Sequence, residues 1–168
     1  MNKKTSPPSL PIQQQPEKIT ASNTFKEYPD PSGFTFSYPD NLTITNNKVT
    51  DDSTYSDIQL SSNGVNGSLS IKITDSKFKT IDDWIKLNKG VSKEKQLGNI
   101  KAIEIETQDR LFLAALDNGI FFDIEVPLIE KEFWRKVYKE VLGSFTFALP
   151  EDVEAVSDVT FEGEEVVE

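Results

Sequence analysis

Residues 99–127 read NIKAIEIETQDRLFLAALDNGIFFDIEVP, and the reading of this stretch decides the fold. Asn118-Gly119 supplies the two positive φ angles of a tight hairpin turn, which predicts Asp117 opposite Ile120. Extending that ladder sets Ala115 opposite Phe122, Leu113 opposite Ile124 and Leu111 opposite Val126. All six are apolar and share one face, and a one-residue slip would turn the set to the wrong side. A three-residue turn at Thr107-Gln108-Asp109 then places Ile105 opposite Leu111 and Ile103 opposite Leu113, again on that face. The stretch reads as a three-stranded antiparallel meander. Its outer face carries Glu104, Glu106, Phe112, Phe121, Asp123 and Glu125.

Outward from the meander, strand signals continue toward the N-terminus. Gly33-Phe34-Thr35-Phe36-Ser37-Tyr38-Pro39 alternates aromatic with small polar residues and closes on proline, the pattern of a half-buried strand. Leu42 and Ile44 continue briefly after the Pro39-Asp40-Asn41 turn. Ile58 and Leu60 mark a further strand, and Leu69, Ile71 and Ile73 another, with Ser70, Lys72 and Thr74 pointing the other way. Asn63-Gly64 and Asn66-Gly67 lie between these two and favour turns.

Two helices are legible. Thr80 with Asp83 three residues on forms a capping-box-like start, and Ile81, Trp84 and Ile85 make its apolar stripe, with Lys89-Gly90 as the stop. The second runs from about Ile129 to Leu142, burying Phe133, Trp134, Val137, Tyr138 and Val141. Its Lys131, Arg135, Lys136 and Lys139 stay in solvent, and Gly143 is expected to end it. Both tryptophans sit on helix stripes and read as core. Ser144-Phe145-Thr146-Phe147 returns as a short strand or extended exit.

The ends differ from the middle. Residues 1–24 hold Pro7, Pro8, Pro11, Pro16 and Gln13–Gln15, the composition of a flexible linker. Residues 151–168 carry eight acidic residues and no basic one, which reads as an acidic, disordered tail. Between them, 25–150 forms a single domain. Its 15 basic and 19 acidic residues are close to an ordinary surface balance, so the formal net charge of −10 comes mostly from the tail.

Composition removes whole classes of chemistry. The 168 residues include no cysteine and no histidine, which excludes disulfides, Cys/His zinc sites, thiol nucleophiles and imidazole acid–base schemes. The acidic balance argues against nucleic acid. Asp51, Asp52 and Asp57 do not fit the spacing of a calcium loop, and the eight glycines form no phosphate cradle. No metal ligand set and no cofactor are expected. No run approaches the ~18–20 apolar residues of a membrane span, and none has the ~7–15 of a signal core.

This order of elements resembles the PsbP family, named for an extrinsic protein of the oxygen-evolving complex of photosystem II, whose fold is shared with Mog-type Ran-binding proteins. The motifs that carry the resemblance are Tyr28-Pro29-Asp30-Pro31-Ser32-Gly33-Phe34-Thr35-Phe36-Ser37-Tyr38-Pro39, the helix Thr80–Leu87 with Trp84, and Val141-Leu142-Gly143-Ser144-Phe145-Thr146-Phe147. The resemblance implies an α+β fold, an antiparallel β-sheet of about six to seven strands sandwiched by helices. It implies a binding or assembly module of the bacterial type rather than the photosystem subunit itself. Metal sites of the plant proteins use histidine, which this chain lacks, so no metal residue carries over.

The functional expectation is a non-catalytic protein-binding or scaffold domain, monomeric, with a protein or cell-envelope component as partner. It is extracytoplasmic if the linker follows a removed anchor, and cytoplasmic otherwise, where it would serve as a partner-binding adaptor. The expected binding face is acidic and aromatic: Glu104, Phe112, Asp123 and Glu125. Cross-strand neighbours lie roughly 5 Å apart, so Glu104 and Glu125 would flank Phe112 about 10 Å from each other. The alternative is a carboxylate-dependent hydrolase acting through Glu104 and Glu125 on that face.

Overall fold

The computed structural model describes residues 16–148, so the expected acidic tail and most of the expected linker lie outside the described residues. Ten strands and two helices follow in the order β1 (Phe25–Asp30), β2 (Phe34–Pro39), β3 (Thr43–Asn46), β4 (Thr54–Ser61), β5 (Leu69–Asp75) and α1 (Ile81–Leu87). Then come β6 (Val91–Leu97), β7 (Ile100–Glu106), β8 (Arg110–Asp117), β9 (Ile120–Pro127), α2 (Lys131–Ser144) and β10 (Thr146–Phe147). They build a seven-stranded antiparallel sheet, β3-β4-β5-β9-β8-β7-β6, and a three-stranded one, β1-β2-β10. The fold class is α+β, with α1 on one face of the large sheet and α2 with the small sheet on the other.

The side chains dictate this layering. On one face, Ile58, Leu60, Leu69, Ile71, Leu111, Leu113, Ile124 and Val126 are all at most 2% exposed and pack with Trp134, Val137 and Val141 of α2. The small sheet adds Phe34 and Phe36, which stack with Phe145. Pro29 sits in β1, which among the described residues pairs with β2 alone, and an edge strand tolerates the missing donor. Across the large sheet, Trp84 of α1 packs on Ile105 and Ala114 in a much smaller cluster. The helix starts as its sequence dictates. The Asp83 carboxylate accepts from the Thr80 backbone N–H at 3.2 Å and from its hydroxyl at 3.1 Å.

The β8–β9 hairpin has the expected register, Asp117 opposite Ile120 through Leu111 opposite Val126. Asn118 and Gly119 both have positive φ, +47° and +80°. The β7–β8 register differs from the expectation by one residue. Glu106 stands opposite Leu111, Ile105 opposite Phe112 and Glu104 opposite Leu113, because the turn closes between Thr107 and Arg110, with only Gln108 and Asp109 between them, rather than between Glu106 and Arg110. The Thr107 hydroxyl accepts from the Arg110 N–H at 3.1 Å, and the Thr107 N–H donates to the Arg110 carbonyl at 2.8 Å, closing that tighter turn. Ile103 and Ile105 therefore face α1, and Glu104 and Glu106 face α2.

Three further details depart from expectation. β6 (Val91–Leu97) is a strand although its sequence, VSKEKQL, has no apolar alternation. Gly143 does not end α2. The helix runs through Ser144, whose hydroxyl donates to the Glu140 carbonyl at 2.7 Å. Residues 16–24, read as part of the linker, lie on the domain: Ala21 is 3% exposed, and its carbonyl accepts from the Lys136 ammonium at 2.6 Å.

Candidate functional site

Strand periodicity and the observed register put Phe112, Asp123 and Glu125 together on the α1 side of the large sheet. Phe112 stands opposite Glu125, and Asp123 lies between Lys72 on β5 and Ala114 on β8. The face alternates in charge. Lys72 reaches Asp57 on β4 at 3.7 Å, and the Arg110 guanidinium pairs with Glu125. α1 covers Ala114 and Ile105 but leaves the strands toward β4 open, so this half of the face is a polar platform bordered by aromatic rings.

The border is specific. Phe78, in the lead-in to α1, packs on Phe121 with ring centroids 5.1 Å apart, and Trp84 lies 6.3 Å from Phe121. A notch of about 190 Å³ opens where these rings meet Lys72, Lys77, Asp75 and Asp123. Burial there pushes the Asp123 carboxyl up to about 6, and Lys72 offsets that only in part. Asp75, at the rim, accepts from the Tyr55 hydroxyl at 2.7 Å. A half-buried carboxylate beside phenyl faces is chemically suited to a guanidinium or ammonium, which pairs with the acid and lies on the rings.

Glu104 does not join this face. It is 6% exposed on the α2 side, where its Oε2 accepts from the Tyr138 hydroxyl at 2.8 Å and lies 3.9 Å from the Lys95 ammonium. Desolvation, with Glu104 adding to it, raises the Tyr138 phenol above its ordinary range. Its neighbour Glu106 takes Arg135 at 2.5 Å and Lys131 at 3.7 Å, which hold its carboxyl below the usual range. Glu104 and Glu125 thus sit on opposite faces of one sheet. They cannot act on a common substrate, and the hydrolase that would use them as a pair is removed. The other buried acid, Asp30, is also satisfied structurally, accepting from Ser32, Tyr28 and Ser56 hydroxyls at 2.6, 3.2 and 3.0 Å.

A larger cleft of about 560 Å³ lies on the far side of α1, between Ile81 and Asp82 of the helix and Glu94, Gln96, Lys101 and Ile103 of β6 and β7. Among the described residues, no group of three or more acidic side chains is arranged to hold a metal, and no helix is long and apolar enough to cross a membrane. Of the platform residues missing from the expected set, Lys72 was readable from the alternation of β5. Phe78 was not, because a single aromatic in a Ser-Lys-Phe-Lys loop has no periodicity to betray it.

No family model and no curated protein matches this chain. Among solved structures, it is similar to the solution structure of cyanobacterial PsbP (CyanoP) from Synechocystis sp. PCC 6803. The two share 13% sequence identity and superpose with a TM-score of 0.49, covering 81% of this chain and 98% of the other.

Proposed function

We propose that this chain is a non-catalytic protein-binding domain that takes a basic side chain of its partner onto the α1-side platform. The observation that carries the reading is the placement of Asp123: half-buried against Phe121, with Lys72 shared between it and Asp57. An arginine arriving from a partner would restore full ionisation to Asp123 and cover the exposed parts of Phe78 and Phe121. Glu125 and Phe112 extend the platform, with Arg110 already paired to Glu125. The proline- and glutamine-rich start supports a tether that holds the domain outside the cytoplasm, with a cell-envelope protein as its partner.

The test uses short capped peptides that differ at one position, arginine or glutamine, with the side-chain carboxyl of Asp123 followed by NMR. The reading requires the arginine peptide to shift the Phe121 ring signals and to lower the Asp123 titration midpoint from about 6. A platform that responds equally to both peptides, or to neither, removes it.

A further inference from the structure

The seven-stranded sheet has one long free edge. β6 pairs with β7 alone among the described residues, and all its residues before Leu97 are exposed. The opposite edge, β3, is only four residues long. Gly98, with φ +58°, begins a two-residue turn that makes Leu97 and Ile100 a hydrogen-bonded pair. Alternation along the ladder then turns the N–H and C=O groups of Ser92, Glu94 and Gln96 outward, away from β7. No proline interrupts this row, and the register with β7 runs from Val91 to Leu97 without a bulge. Such a row is a template for another strand.

Lysines are the guard on this edge, and their guard has a sign. Residues 86–101 hold five lysines, all exposed, and a single acid, in a chain whose 28 acids outnumber its 18 bases. Lys86 pairs with Asp83 at 3.5 Å and Lys95 lies 3.9 Å from Glu104. Lys89, Lys93 and Lys101 have no ion pair among the described residues. Lys93 stands mid-strand on the α2 face, and the acid across from it, Glu104, already accepts from Tyr138. A second copy is disfavoured. Antiparallel pairing about residue 93, 94 or 95 sets Lys93 on Lys93, Lys93 on Lys95 or Lys95 on Lys95. A nucleic acid or a lipid headgroup would match the charge but has no peptide groups to fill the outward row. An acidic polypeptide in extended form matches both.

The α1 face of β6 sets the neighbouring residue. Glu94 and Gln96 line the cleft of about 560 Å³ whose apolar lining includes Ile81 and Ile103. Side chains of an added strand alternate between faces, so the residue opposite Glu94 lies along the margin of that cleft while the next one faces Lys93. An acid opposite Glu94 would meet like charge, whereas an apolar side chain there extends the apolar lining.

We infer that β6 takes an extended segment of a partner protein as an added antiparallel strand, with an acid opposite Lys93 and an apolar residue opposite Glu94. β8 and β7 separate this edge from Asp123 on β9, so the inference stands apart from the reading of that platform.

Two capped peptides test this against the full chain by amide NMR: acetyl-Ser-Thr-Val-Glu-Val-Thr-Ser-amide and the same sequence with lysine for glutamate. The glutamate peptide should shift the Ser92, Glu94 and Gln96 amides and, near saturation, slow their exchange about tenfold. The Lys93 and Lys95 amides, bonded to β7, should stay protected throughout, which reports that the strand is folded. N-methylation of the valine before the glutamate removes the donor that faces the Glu94 carbonyl and should abolish the slowing. Full-length Lys93→Glu should lose the glutamate peptide and take the lysine peptide. Slow exchange at Ser92, Glu94 and Gln96 before any peptide is added overturns the inference, because the edge is then already occupied. So does an equal response to both peptides, slowing that survives N-methylation, or no response to the glutamate peptide at millimolar concentration.

Discussion

The two faces of the seven-stranded sheet treat carboxylates in opposite ways. On the α2 side the cover is fuller: Trp134, Val137 and Val141 are 0% exposed, the buried Glu104 is matched by Tyr138, and the half-buried Glu106 beside it by Arg135. On the α1 side a seven-residue helix seals only Trp84, Ile105 and Ala114, and Asp123 beside them has burial without a hydrogen-bond donor of comparable quality. With its buried carboxylate partnered on one face, and half-covered with an underpartnered carboxylate on the other, the sheet concentrates stability on the first and leaves recognition to the second.

The most direct way to break that contrast is to remove a tryptophan from each side. Trp134→Ala deletes a fully buried indole and the 2.8 Å bond from its Nε1–H to the Asn66 carbonyl, and should cost about 3–5 kcal/mol. Trp84→Ala empties the smaller cluster, where α1 is short and can settle toward the sheet, so about 2–3 kcal/mol is expected. Urea unfolding of both variants gives the order. If Trp84→Ala costs as much as Trp134→Ala, the two faces carry equal weight and the division of labour is wrong.

A smaller effect sharpens the comparison at a single atom. Tyr138→Phe keeps the ring and removes the hydroxyl that Glu104 accepts, leaving a buried carboxylate with only the distant Lys95. The expected loss is about 1–3 kcal/mol. Glu104→Gln in the Tyr138→Phe background should recover part of it, since a neutral amide costs less to bury than an unpaired charge. Chemical denaturation of the two variants decides; no recovery would mean that water enters and Glu104 is not confined.

How far the sequence discloses this arrangement follows from how sharply each turn is specified. Asn118-Gly119 accepts the two positive φ angles that few other pairs tolerate, so the β8–β9 register is legible to the residue. The turn between Thr107 and Arg110 has no glycine, and its length is set by the Thr107 hydroxyl and backbone rather than by a conformational requirement, so two and three residues look alike. The apolar pattern did not decide either, because Ile105 is buried and Ile103 half-buried on one face while Glu104 is buried on the other. Alternation assumes that the acid is the solvent side, and Tyr138, distant in sequence, reverses that. The same slip moved Glu104 out of the candidate site. Phe112, Asp123 and Glu125 remained together because their positions depend only on the well-specified hairpin. β6 was illegible for a related reason: an edge strand with one neighbour buries too little to impose a pattern.

The finest distinction between the faces is the sign of their response to pH. Asp123 has a folded titration midpoint raised from 3.8 to about 6, so its contribution favours the folded state below about pH 3.8 and is lost as pH rises through 6. Glu106 is displaced the other way by Arg135, so its contribution is present above its ordinary midpoint of 4.5 and is lost as pH falls below it. Asp123→Asn should therefore gain melting temperature over the unaltered protein progressively between pH 4 and 7, and level off above. Glu106→Gln should lose at pH 7 and converge on the unaltered protein as the pH falls below 4. Thermal unfolding of the three proteins across that range reads both slopes. Parallel curves for Asp123→Asn and the unaltered chain would mean that Asp123 is hydrated like any surface acid, and the half-covered face would then hold no reserve of unpaired charge for a partner to complete.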